Sequence, residues 1–192
     1  MKYYLMAEKA HADGTIIYQD SHFSTIFSQG IKLLDYEHDD ETGEPFVGPL
    51  ACLLDDEYPD GKMSTFFTSP AIVVKKQFYN DLLEIGIDNI EVFPVIIRDE
   101  VNDKLIEDYL LLNIIGRISC ADIDSTEYRT LDEGEENMTF IDRLVLDHSK
   151  VKCFDIFLVS EDTDCIVINE KVYKHLVSKR YTDIYFEELE II

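Results

Sequence analysis

Apolar residues in this chain fall into short runs between polar turns, and most of the runs are β-branched or aromatic. That pattern predicts strands over residues 2–6, 71–74, 90–97, 109–115, 143–146, 154–159, 166–168 and 184–189. Helical periodicity is rarer. It is clear over 77–85 and 171–179, where Phe78, Leu82 and Leu83, and then Val172, Leu176 and Val177, recur at i, i+4 and i+5 on one helical face. Residues 64–67 fit either state. Gly86 stands where a left-handed cap would close the first helix, and Lys179-Arg180 puts positive charge at the C-terminus of the second.

The two helices belong to an internal repeat. The run from Ala71 to Leu83 matches the run from Cys165 to Val177 without a gap, and the match extends to Ile87/Tyr181 and Ile90/Ile184. Each copy reads as a buried strand, an amphipathic helix and a further strand. Two copies are too few for a solenoid. The expected fold class is α+β, with two related lobes, mixed β-sheets and a strand-helix-strand internal repeat. The 192 residues then form one domain with lobes at about 1–100 and 101–192.

Charge changes the picture most. Forty acidic residues face seventeen basic ones, a formal net charge of −23. Phosphate contacts need Lys and Arg, so direct nucleic-acid binding is excluded and a basic partner is expected. The acid is clustered. Between Leu33 and Gly61 no Lys or Arg occurs, while ten Asp and Glu residues do, among turn formers that predict loops and short strands. A second acidic segment, from Asp122 to Glu136, is relieved only by Arg129 and reads as a long surface loop. No apolar run approaches the ~20 residues of a membrane helix. The opening residues lack the apolar core of a secretory signal, so the expected location is cytoplasmic.

Candidate chemistry is thin. His38-Asp39 imitates the doublet of metal-dependent phosphohydrolases but lies in a turn-rich loop with few further ligands. Asp122-x-Asp124-x-Thr126 with Glu133 imitates a calcium loop, but Glu127 stands where the sharp turn requires Gly. Cys153 lies near His148 without an orienting third group, and the four cysteines, including Cys52, Cys120 and Cys165, read as free core thiols. These readings assign no catalytic residue, no cofactor and no metal ligand.

The second half carries a series of motifs in order: Asp108-Tyr-Leu-Leu-Leu-Asn113, Cys120-Ala-Asp122 with Ser125-Thr-Glu-Tyr128, Leu144-Val-Leu-Asp147-His-Ser-Lys150, and Ile166-Val-Ile-Asn-Glu-Lys-Val-Tyr. With Tyr3-Tyr4-Leu5, they resemble a family of bacterial immunity proteins from polymorphic-toxin systems, over about residues 64–192 and the first few positions. The resemblance implies a non-enzymatic inhibitor that binds a cognate toxin delivered by a contact-dependent route such as type VI secretion. It implies that Tyr109, Asn113, Asp122, Tyr128, Asp147 and Lys150 are fold determinants.

An acidic, cytoplasmic domain without a recognisable active site suits an inhibitor of a basic nuclease-type toxin, whose active site it would occlude. Two other classes share these features: an acidic DNA mimic or regulatory adaptor, and a metal-dependent hydrolase. The expected toxin contacts are Asp39, Asp40, Glu41, Asp55, Asp56 and Glu57, with Tyr58 as an aromatic anchor. They lie in the basic-free stretch, where binding loops concentrate. Asp132 to Glu136 is the rival location.

Overall fold

The computed structural model describes residues 1–9, 17–19, 29–33, 49–55, 61–69, 71–133, 136–151 and 154–192, with backbone alone at 18–19 and 131–139. In chain order the strands are β1 (Tyr3–Glu8), β2 (Ile17–Gln19), β3 (Leu50–Leu54), β4 (Phe66–Phe67), β5 (Val73–Lys75), β6 (Ile90–Asp99), β7 (Lys104–Ile106) and β8 (Tyr109–Ile114). They continue with β9 (Arg117–Ile118), β10 (Glu127–Glu133), β11 (Glu136–Arg143), β12 (Val145–Leu146), β13 (Ile156–Val159), β14 (Ile166–Asn169), β15 (Ile184–Glu188) and β16 (Glu190–Ile191). The helices are α1 (Lys76–Glu84), α2 (His148–Val151) and α3 (Glu170–Ser178). The class is mixed α+β, mostly strand. None of the described helices is long and apolar enough to cross a membrane.

Two sheets carry the fold. One has the order β2-β3-β6-β8-β5-β4, with β7 also on β6, and the other β15-β1-β14-β13-β9. In the first, β8 lies between β5 and β6, antiparallel to both, so β5 and β6 are parallel and α1 connects them. In the second, β1 lies between β14 and β15 in the same way, with α3 as the connection. The registers correspond: Tyr109 faces Lys75 as Tyr3 faces Asn169, and Ile114 faces Ile90 as Glu8 faces Ile184. A division near residue 100 therefore does not follow the sheets, because β1 belongs with β14 and β15.

Local chemistry explains both helices. The Asn169 side chain caps α3 by accepting from the Lys171 and Val172 N–H groups, at 3.0 and 3.1 Å, whereas Lys75 leaves α1 without a side-chain cap. After α1, Gly86 takes φ +77° and its N–H donates to the Leu83 carbonyl. Arg180 adopts the same left-handed conformation after α3, at φ +62°, and its N–H donates to Val177.

Both helices bury their apolar faces in one core between the sheets. Phe78 and Leu82 of α1, and Val172 and Leu176 of α3, meet Leu112 and Ile114 of β8, Met6 of β1 and Ile168 of β14. Aromatic rings fill the remaining space, with Tyr4 stacked on Tyr173 at 3.9 Å between centroids and Phe78 against Phe66 and Tyr181. The outer faces have their own clusters: Val73, Phe93, Val95, Ile97 and Leu111 with β3 on one sheet, and Tyr3, Phe157, Val159 and Val167 with Leu146 and Val151 on the other.

Several predicted elements shift. Within residues 64–67, Phe66–Phe67 form the short strand β4. The expected strand at 143–146 divides, with Arg143 ending β11 and Val145–Leu146 pairing in parallel with β16. The long acidic loop at 122–136 is replaced by a turn and the antiparallel β10–β11 ribbon. Arg129, Thr130 and Asp142 of this ribbon are exposed, so that part of it leaves no apolar alternation in the sequence.

Polar contacts cross the core between the helices. Asp81 of α1 is 1% exposed and accepts from the Tyr181 hydroxyl at 2.5 Å, Lys179 Nζ at 2.9 Å and Gln77 Nε2 at 2.8 Å. Burial pushes its carboxyl up, but the three donors outweigh burial and hold it below the ordinary aspartate range. A depressed folded-state value stabilises the fold above the unfolded aspartate pKa, and that contribution is lost as pH falls through the folded value. Asp81→Ala should cost about 3 kcal/mol in urea titration, because it strands a part-buried ammonium and a tyrosine hydroxyl. Asp81→Asn should flatten the loss of stability on acidification below about pH 4. An unchanged acid limb would show that Asp81 is not the group responsible.

Cys52 and Cys120 are buried free thiols and Cys165 is partly buried. Burial pushes Cys52 up to about 11 and Cys120 and Cys165 up to about 12, the last two helped by nearby carboxylates. At pH 8 about one thiol in a thousand, or fewer, is the reactive thiolate. These three should resist a thiol reagent such as DTNB in the native state and react only on unfolding. Reaction of all of them within minutes would contradict the packing.

Candidate functional site

Of the contacts expected in the basic-free stretch, Asp55 alone falls within the described residues. Asp39, Asp40, Glu41, Asp56, Glu57 and Tyr58 lie outside them, as do His38 and Cys153. Asp55 follows β3, whose Leu50, Cys52 and Leu54 are buried on one face. It is 4% exposed, so it sits in the fold at the strand end and not on the open surface expected of it.

The second acidic segment is better defined. Asp122 Oδ1 accepts from Ser125 N–H at 2.9 Å, and the Thr126 N–H donates to the Asp122 carbonyl at 2.9 Å. The spacing that imitated a calcium loop thus closes a turn. The ribbon follows. Arg129 pairs with Asp142 at 3.2 Å and lies over the Phe140 ring, while Arg143 bridges Glu127 and Glu190. At its base the Ile141 N–H donates to Asp162 Oδ2 at 3.0 Å, and Ile141 packs on the outer core. Toward its end Glu133 and Glu136 occupy facing register positions. Tyr128 is exposed in this ribbon, and Ile123, in the preceding turn, is 78% exposed.

Most positions that the motifs single out serve the fold. The Tyr109 hydroxyl donates to the Ser64 carbonyl at 2.8 Å. Asn113 Nδ2 donates to the Ile31 carbonyl at 2.8 Å and to Glu91 Oε2 at 3.0 Å, tying β8 to the segment beside it. Asp147 Oδ1 accepts from both Ser149 N–H and Oγ, which holds the Asp147 carboxyl below its usual range, and Lys150 lies 3.5 Å from the other oxygen.

One cluster has metal-ligand types. Donor atoms of Asp81, Glu84 and His175 lie within 4.8 Å of one another. Lys179 Nζ sits 2.9 Å from Asp81 Oδ1 and 2.6 Å from Glu84 Oε2, so an ammonium occupies the place a cation would take. Sequence reasoning missed this cluster, although a signal for it existed: the repeat aligns Asp81 with His175.

The described clusters therefore hold helices, turns, strand ends and the base of the ribbon. No curated protein matches the chain. A family model described as Immunity protein family (Imm11) matches residues 56–190, the span that contains both helices, the ribbon and all strands from β4 to β15. The chain belongs to the Imm11 immunity protein family.

Proposed function

We propose that this chain is the antidote to an antibacterial toxin that acts in the cytoplasm, and that it works by binding the toxin's catalytic domain and occluding a basic, nuclease-type active site. The observation that carries this reading is the combination of membership in an immunity family with a net charge of −23. Negative potential speeds encounter with a cationic cleft, and carboxylates stand in there for phosphates. Delivery of the toxin by type VI secretion fits the same family context. A binding role without catalysis is supported by what the polar groups do: Asp81, Asn113, Asp122 and Asp147 all hold parts of the fold together.

For the contacts, the reading retains Asp39, Asp40, Glu41, Asp56, Glu57 and Tyr58 and drops Asp55, whose burial suits a structural role. The expected outcome is a 1:1 complex with the toxin domain encoded beside this chain's gene, and survival of cells that co-express the two. Association should slow steeply as salt rises, since screening at physiological ionic strength already acts over about 8 Å. Replacing Asp39, Asp40, Glu41, Asp56 and Glu57 with Lys should abolish protection without loss of fold. A salt-independent association rate would remove the electrostatic part of the reading. Full protection by the charge-reversed variant would move the contacts elsewhere.

The scaffold itself reads as two related lobes from a duplicated unit, with the central strand of the second copy supplied from the front of the chain. The support is the shared register and a reciprocal pair of contacts. Asn89 Nδ2 donates to the Ile156 carbonyl at 2.9 Å, and Asp183, which the repeat aligns with Asn89, accepts from Thr65 N–H at 2.5 Å. A circular permutant that starts at residue 10 and carries residues 1–9 behind Ile192 on a short Gly-Ser linker should fold to near wild-type stability. Failure to fold would count against β1 as an interchangeable part of the second unit.

A further inference from the structure

The helix-facing side of the larger sheet is only partly covered. The nine residues of α1 extend about 13 Å, whereas the ten of β6 extend about 33 Å. Ile90 and Val92 of β6 lie against the shared core, but the same face of the strand runs on through Pro94, Ile96 and Arg98. Register sets Leu53 of β3, Arg98 of β6 and Leu105 of β7 in one row, with Ala51 and Ile96 in the next. The opposite faces of these strands are packed: Cys52, Val95 and Ile97 are buried. On the uncovered face Leu53 is 44% exposed and Leu105 59%, and Val101, in the turn between β6 and β7, is 56% exposed. Where this face meets the start of α1 there is a hollow of about 340 Å³, lined by Pro49, Lys76, Pro94, Ile96, Glu107 and Tyr109 among others.

We infer that this uncovered face, centred on Leu53, Ile96 and Leu105, is the surface on which the basic toxin domain docks. The inference rests on the immunity reading above and gives it a location. An exposed apolar row beside a hollow is the form of a desolvated interface centre, with the charged residues around it forming the rim. Here the rim contains Glu100, Asp103, Glu107 and Asp108, all exposed. Charge also selects the occupant. A second copy of this chain would bring another −23 to the contact, so self-association is opposed while a basic partner is attracted. Arg98, exposed and set by register between Leu53 and Leu105, offers a guanidinium to a carboxylate on the partner.

The test uses the full-length chain and a catalytically inactive form of the toxin domain encoded beside its gene. The double variant Leu53→Ala/Leu105→Ala removes exposed side chains, so thermal unfolding should stay at the wild-type temperature. Affinity should fall about a hundredfold, about tenfold for each leucine. Leu83→Ala/Val177→Ala, on the outer sides of α1 and α3, provides the control and should bind as wild type does. Glu100→Lys/Asp103→Lys/Glu107→Lys should slow association and weaken its salt dependence. If wild type binds and the leucine variant binds equally well, or if the helix control loses affinity instead, the docking face is wrong and the immunity reading stands. If wild type does not bind the toxin domain, both fall. A wild-type dimer in sedimentation that the leucine variant breaks would assign the face to self-association and overturn the inference.

Discussion

A nine-residue helix is too short to cover a sheet of six or seven strands, and much of this architecture follows from that limit. Neither α1 nor α3 could shield its own sheet alone, so the two helices share one core and the sheets face each other across it. The inner strands are then buried on both faces, which requires separate apolar clusters on the outer sides. Polar groups on the facing helix flanks must find partners inside the protein, as Asp81 does with Lys179, Tyr181 and Gln77. Beyond the reach of α1, Leu53 and Leu105 of the larger sheet stay exposed.

The acid excess divides into two populations. Asp81, Glu91, Asp99 and Asp183 are buried. Each accepts hydrogen bonds that fasten a loop, turn or strand end: Glu91 from Leu33 N–H and Asn113, Asp99 from Asn102, and Asp183 from Thr65 N–H. Others among the described residues, such as Glu100, Asp103, Asp124 and Asp142, face solvent, where mutual repulsion works against compactness but keeps copies of the chain apart. A high count of carboxylates is therefore partly a structural device and only partly a surface for recognition.

How much of this was legible beforehand depended on burial. Strands flanked by core on both sides, such as β6, β8 and β14, appear in the sequence as dense apolar runs and were located to within a few residues. The helices were legible because Phe78 and Leu82, like Val172 and Leu176, repeat at helical spacing. The β10–β11 ribbon was not, because Arg129, Thr130 and Asp142 have no interior to face. Pairing was hidden too: nothing near Tyr3 in the sequence announces Asn169 as its neighbour. The Lys179–Asp81 contact needs the relative placement of two helices, which periodicity does not encode. For the site, composition pointed to loops rich in carboxylate. It could not separate Asp55, held inside a strand end, from its exposed-looking neighbours in sequence, since all of them are written with the same letters.

Strand β1 lies in the middle of its sheet, with Tyr3 opposite Asn169 and Tyr4 opposite Glu188. During synthesis it emerges well before both of its neighbours and waits, both edges unpaired, until β14 and β15 have followed. Closing so long a loop delays the final sheet, as contacts distant in sequence generally do. A chain cut short before Ile184 therefore lacks one edge partner of β1, and this sheet is completed only when β15 has been made.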